Sequence, residues 1–112
     1  MTYLDNSSPR NPQDARIVTT SSNITIEIPR ELRGYCEGAS ALLFPATSVR
    51  GALEEIEQKH PSLYRSICEE TGRVRRHLNL FVNSTHVREL QGLDTVLNSG
   101  DVVIIIPAVS GG

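Results

Sequence analysis

The sequence predicts an α+β domain: a mixed sheet of four to five strands with one main helix and a short second helix. Three observations carry this expectation. Ile24, Ile26 and Ile28 alternate with Thr25 and Glu27, the period-two pattern of a strand buried on one face. Val49, Ala52, Leu53 and Ile56 recur at the spacing that places them on one side of a helix. "VVIIIP", residues 102–107, has no polar residue on either face, which is how a strand covered on both sides reads.

In chain order, residues 1–21 are rich in Ser, Thr, Asn, Pro and Asp without a hydrophobic period, and are expected to be a disordered lead-in. The first strand follows and ends at Pro29, which cannot donate to a ladder. After turn residues "YCEG", the stretch "ASALLFPA" predicts a second strand and hence an antiparallel hairpin. Thr47 is the expected N-cap of the main helix. Glu54, Glu55 and Glu57 face water, Lys59 and His60 suit the negative end of the helix dipole, and Pro61 stops the helix. "SLYRSICEE" predicts the short second helix, closed by Gly72. "HLNLFVN" alternates again, with Leu78, Leu80 and Val82 on one face and His77, Asn79, Phe81 and Asn83 on the other. "THVREL" is expected as its edge neighbour after a turn at Asn83-Ser84, "GLDTVLNSGD" as compact turns, and 102–107 as the final strand.

The order β-β-α-(α)-β-β-β, with a final strand apolar on both faces, places the first and last strands side by side and parallel in mid-sheet. That is the β-grasp, or ubiquitin-like, arrangement. The expected domain spans 22–107, and 108–112 forms a flexible Gly-Gly tail.

Composition narrows the function. A net charge of −2 argues against non-specific nucleic-acid binding. No stretch approaches the roughly 20 apolar residues that cross a bilayer, and no signal-peptide core is present, so the expected compartment is cytoplasmic with no membrane partner. The two cysteines, Cys36 and Cys68, make no CxxC pair or Cys/His cluster, so no metal is expected and a β-grasp ferredoxin is excluded. His60, His77 and His86 have no metal-ligand spacing. Arg73, Arg75 and Arg76 form a short basic run that reads as a solvated loop, with contact to an acidic partner surface as the alternative. Ten arginines accompany Lys59, the one lysine, leaving few amines for acylation.

The segment "RHLNLFVNSTHVRELQGLDTVLNSGDVVIIIPAVSGG" resembles the C-terminal third of the ThiS/MoaD family of ubiquitin-like sulfur carriers. Val82-Asn83, Val87, Leu97, Gly100-Asp101, Val103, Pro107, Val109 and Gly111-Gly112 stand where the family pattern has them. With "ITIEIP" and the helix at 47–59, the resemblance covers about residues 22–112. It implies a carrier and not an enzyme. An E1-like adenylyltransferase/sulfurtransferase would adenylate the Gly112 carboxylate with ATP, and sulfur would displace AMP to leave a thiocarboxylate. A sulfur-accepting enzyme, either a molybdopterin synthase large subunit or a pyridoxal-phosphate-dependent cysteine synthase, would then receive the sulfur. No cofactor is expected on the carrier; ATP is used by the activating partner.

The chemistry explains the ending. An α-carboxylate with a pKa of about 3.5 is ionised at neutral pH, a nucleophile toward the α-phosphorus of ATP but a poor electrophile until adenylated. At ~3.3 Å per residue, Ala108 to Gly112 can project about 15 Å beyond the sheet, and Gly111 and Gly112 can thread a narrow channel. Alternation leaves Val102, Ile104, Ile106 and Phe81 on the sheet face away from the helix, where an apolar patch marks an interface. The expected partner-binding residues are Phe81, Ile104, Ile106, Pro107, Ala108, Val109 and Ser110. An alternative shares the activation step: a modifier joined through Gly112 to lysines of other proteins. A plain β-grasp interaction module is a third reading, and would tolerate loss of Gly111-Gly112. The stretch "SLYRSICEETGRVRR" and the ending "PAVSGG" resemble molybdopterin-synthase small subunits and the carrier of a thiocarboxylate-dependent cysteine synthase, the second more closely.

Overall fold

The computed structural model describes residues 23–108; the expected disordered lead-in and the last four residues of the tail lie outside them. Strand β1 is Asn23–Glu27, β2 is Ala41–Pro45, β3 is Leu78–Val82, β4 is Thr85–His86 and β5 is Val102–Pro107, with helices α1 at Val49–Lys59 and α2 at Pro61–Ile67. The five strands form one sheet in the order β2-β1-β5-β3-β4. β5 lies at its centre, parallel to β1 through Ile26↔Val103 and antiparallel to β3 through Leu80↔Ile105, as the apolar run 102–107 predicts, but the expected cover on both faces is found on one only, for Ile106 is exposed.

One face of the sheet is closed by α1. Val49, Ala52, Leu53 and Ile56 pack down on Ile24 and Ile26 of β1, Leu78, Leu80 and Val82 of β3, and Val103 and Ile105 of β5. α2 adds Leu63 and Ile67 to the same core, beside Cys36 and Cys68. Both cysteines are reduced and buried, and burial pushes both thiols up from their ordinary range.

Local chemistry departs from the sequence expectations in four places. The N-cap of α1 is Ser48, not Thr47: the Ser48 hydroxyl accepts the Gly51 N–H at 3.0 Å. The "YCEG" turn is the end of a seven-residue 3-10 helix, Arg30–Cys36, and the chain reverses through left-handed Glu37 and Gly38. That helix starts after Pro29, whose fixed φ suits a helix entry as well as a strand end. α2 begins at Pro61 itself and stops at Ile67, because Cys68 takes an extended conformation and bridges to Val74. β4 is only two residues long, since Val87–Glu89 tightens into a 3-10 turn that buries Val87.

Candidate functional site

The residues singled out from the sequence divide by face. β5 pairs with β3 in the register Phe81↔Ile104 and Asn79↔Ile106, so Phe81, Ile104 and Ile106 stand together on the face opposite α1. Thr25↔Val102 and Thr25↔Leu43 extend this open face across β1 to β2. Val102, Ile104 and Phe81 are half-buried, and Ile106 is exposed. Pro107 does not join them. It pairs with Leu78 on the covered side and stays half-buried, because its parity is that of Val103 and Ile105. Ala108 is exposed, and its N–H donates to the His77 carbonyl at 2.6 Å, one rung beyond β5. Val109, Ser110, Gly111 and Gly112 lie outside the described residues.

Two members of the open face escaped the sequence reading. Leu43 is 64% exposed on β2; the alternation of "ALLFP" around a buried Phe44 was the signal for it. His86 is the other. Its Nδ1 accepts the Arg88 N–H at 3.0 Å, and its Nε2 lies 3.0 Å from Asn79 Oδ1. Nδ1 acting as acceptor leaves the proton on Nε2, which donates to Asn79. The His86 ring meets Phe81 edge-on, with centroids 5.1 Å apart. The open face thus holds an apolar centre with one satisfied polar pair at its β4 margin.

The end of the sheet where β5 begins is held by Asn83 and Asp101. Asn83 sits in the left-handed region at φ 57°, which lets its side chain turn back on the ladder. Its Oδ1 accepts the Val102 N–H at 3.1 Å, while its Nδ2 donates to Asp101 Oδ1 at 3.3 Å. Asp101 Oδ2 accepts the Asn98 N–H at 2.9 Å, closing the turn through Gly100, whose φ of 90° suits glycine. These motif residues therefore set where β5 starts and in what register, and so which of its side chains face out.

No group of three or more His, Cys, Asp and Glu among the described residues is placed to hold a metal ion. No helix among them is long and apolar enough to cross a membrane. The arrangement presents an apolar surface and, at the end of its central strand, the start of a chain segment.

Comparison with known proteins agrees with this architecture. The model of the ThiS family matches residues 27–112. The sulfur carrier protein CysO of Mycobacterium tuberculosis is 29% identical over 92 residues, covering 80% of this chain and 99% of that protein. A chain of the Amycolatopsis orientalis BexX/CysO complex superposes with a TM-score of 0.72 at 29% identity, covering 80% of this chain and 99% of that one. Small archaeal modifier protein 3 of Haloferax volcanii is 34% identical over 65 residues, 58% of this chain and 70% of that protein.

Proposed function

This chain belongs to the ThiS family, and from that premise we propose that it is a sulfur carrier whose Gly112 carboxylate is the group that is loaded and unloaded. The observation that carries the reading is that the family match spans residues 27–112, from the last residue of β1 to Gly112, so the final glycines fall inside the matched range. An E1-like enzyme binds ATP; the Gly112 carboxylate attacks the α-phosphorus and releases pyrophosphate. Sulfide then attacks the acyl carbon, forming the C–S bond as the C–O bond to AMP breaks; AMP departs with that electron pair and the S–H proton is lost to solvent, leaving a thiocarboxylate. This anion is a soft nucleophile and gives its sulfur to an intermediate of molybdopterin or cysteine biosynthesis. All the catalytic groups reside on the partners, so the carrier is not itself an enzyme and works in the cytoplasm.

The carrier contributes fit and reach. Phe81, Ile104 and Ile106 supply an apolar docking surface, while Pro107 and Ala108, held against Leu78 of β3 and the preceding His77, lead into the tail of Val109, Ser110, Gly111 and Gly112. Ordering that tail in a channel costs conformational entropy, which docking of the sheet face offsets. The acceptor we favour is a pyridoxal-phosphate-dependent cysteine synthase, because the similarity to CysO spans nearly the whole of that protein; a molybdopterin synthase large subunit is the other acceptor. The likeness to small archaeal modifier protein 3 favours a second reading, in which Gly112 is transferred to lysines of other proteins.

Incubation with the activating enzyme, ATP and sulfide separates the two. The carrier reading expects the C-terminal peptide to gain the mass difference of one oxygen exchanged for sulfur. It also expects a chain lacking Gly112 to gain nothing. Adducts that are exclusively amide-linked to other proteins would replace the carrier reading with the modifier one.

A further inference from the structure

Backbone N–H and C=O groups along a sheet margin must find partners in another chain or in water. The margins of this sheet are unequal. β4 is two residues long, and the chain leaves it at once for the 3-10 turn in which His86 takes the Arg88 N–H. A second opening lies inside the sheet, where β1 stops pairing at Glu27↔Ile104 and β5 runs on to Pro107. There the next donor to the Ile105 carbonyl would be residue 29, and both Pro29 and Pro107 lack an N–H. That margin offers acceptors without donors, so two copies of it cannot pair.

β2 is different. The Ile28 N–H donates to the Ser40 carbonyl at 2.9 Å, and the register continues through Ile26↔Leu42 and Ile24↔Phe44. Ser40, Leu42 and Phe44 therefore turn their backbone groups toward β1, while Ala41, Leu43 and Pro45 turn theirs outward. The outward row presents the N–H groups of Ala41 and Leu43 and all three carbonyls. No strand among the described residues pairs with it. Folded proteins blunt such an edge with charges, prolines, bulges or brevity, and Pro45 blunts this one only at its last residue. Ala41–Pro45 carries no charged residue, and Leu43 lies 64% exposed on it.

We propose that the β2 edge pairs with the same edge of a second copy, antiparallel, about a twofold axis perpendicular to the sheet at Leu43. The edge is complementary to itself. The Leu43 N–H donates to the carbonyl of the partner's Leu43 and the reverse; the Ala41 N–H donates to the carbonyl of the partner's Pro45 and the reverse. Every outward N–H is used, and only the Ala41 carbonyls, opposite proline nitrogens, are left to water. Two exposed leucines come into contact on the open face, and the uncharged strands set no like charges against each other. Two five-residue edges bury far less than the roughly 1,200 Å2 of a stable interface, so the pairing is weak and reversible. The axis keeps both open faces on one side of a ten-stranded sheet, with the two β5 strands running in opposite directions. The inference stands apart from the sulfur-carrier reading.

Sedimentation velocity on the full chain from roughly 10 µM to 1 mM tests it. The expected result is a monomer–dimer equilibrium that shifts toward dimer across the range. Leu43→Pro removes the central donor but leaves the β1–β2 ladder intact, because that N–H points outward. Leu43→Lys sets two ammonium groups in contact. Each is expected to weaken association at least tenfold with an unchanged circular dichroism spectrum. Val96→Lys, at a side chain 65% exposed elsewhere, is expected to associate as the parent does. A chain that stays monomeric at every concentration overturns the proposal, as does association that survives both Leu43 substitutions or is equally lost in Val96→Lys. Hydrogen exchange at the Leu43 amide that is slow and independent of concentration would show the edge covered by the chain's own residues, and would also overturn it.

Discussion

Ile105 and Ile106 are neighbours in one strand and chemically the same, yet Ile105 is 2% exposed and Ile106 is 42% exposed. The difference is the pleat, which sends successive side chains to opposite faces. On the covered side, α1 and α2 meet β5 with a continuous core; on the open side, Ile104 and Ile106 lie opposite Phe81 and Asn79 of β3 and belong to no buried core among the described residues. One strand thus divides by parity, with Val103 and Ile105 holding the fold and Ile104 and Ile106 left on the open face. An apolar residue in the core and one on the surface need not differ in chemistry.

Substitutions on either side can break or sharpen this contrast. The largest effect is expected from Ile105→Ala. It opens a cavity in the middle of the sheet against α1 and should cost about 3 kcal/mol in urea unfolding. A loss no greater than that of a surface residue would remove the distinction between the faces. A smaller effect, about 1 kcal/mol, is expected from Ser48→Ala, which uncaps the helix that covers Ile105, while Thr47→Ala should leave stability nearly unchanged. The reverse order in paired denaturation curves would return the cap to Thr47. The smallest effect on folding is expected from Ile106→Ser, within about 0.5 kcal/mol. The same substitution should slow adenylation by the activating enzyme, and an unaltered rate would take Ile106 out of the docking surface.

Much of this was legible in the sequence. Alternation in 24–28 and 78–82 and the helical face Val49, Ala52, Leu53 and Ile56 placed the core, because period two and period 3.6 survive in the residue order. The apolar run 102–107 placed β5 in mid-sheet for the same reason, and the open-face trio Phe81, Ile104 and Ile106 followed from parity. Short-range detail was less legible. Thr47 and Ser48 are both good caps, and the choice between them depends on where α1 must begin so that the Val49 N–H can reach the Thr95 carbonyl. "THVREL" has the composition of a strand, but Val87 is drawn into the core and the chain tightens there. The partnership of His86 with Asn79 and Phe81 joins residues of two strands through their register, which composition does not encode.

The sequence by itself determined the class of fold, the parity of the central strand and the family pattern that ends on Gly112. These are properties of spacing along one chain. The tertiary structure decided that Asn83 and Asp101 fix where β5 starts, that Ala108 bonds to His77 one rung beyond it, and that no strand among the described residues pairs with the outer edge of β2. Each of those is a relation between strands, set by which backbone groups face each other once the sheet has closed.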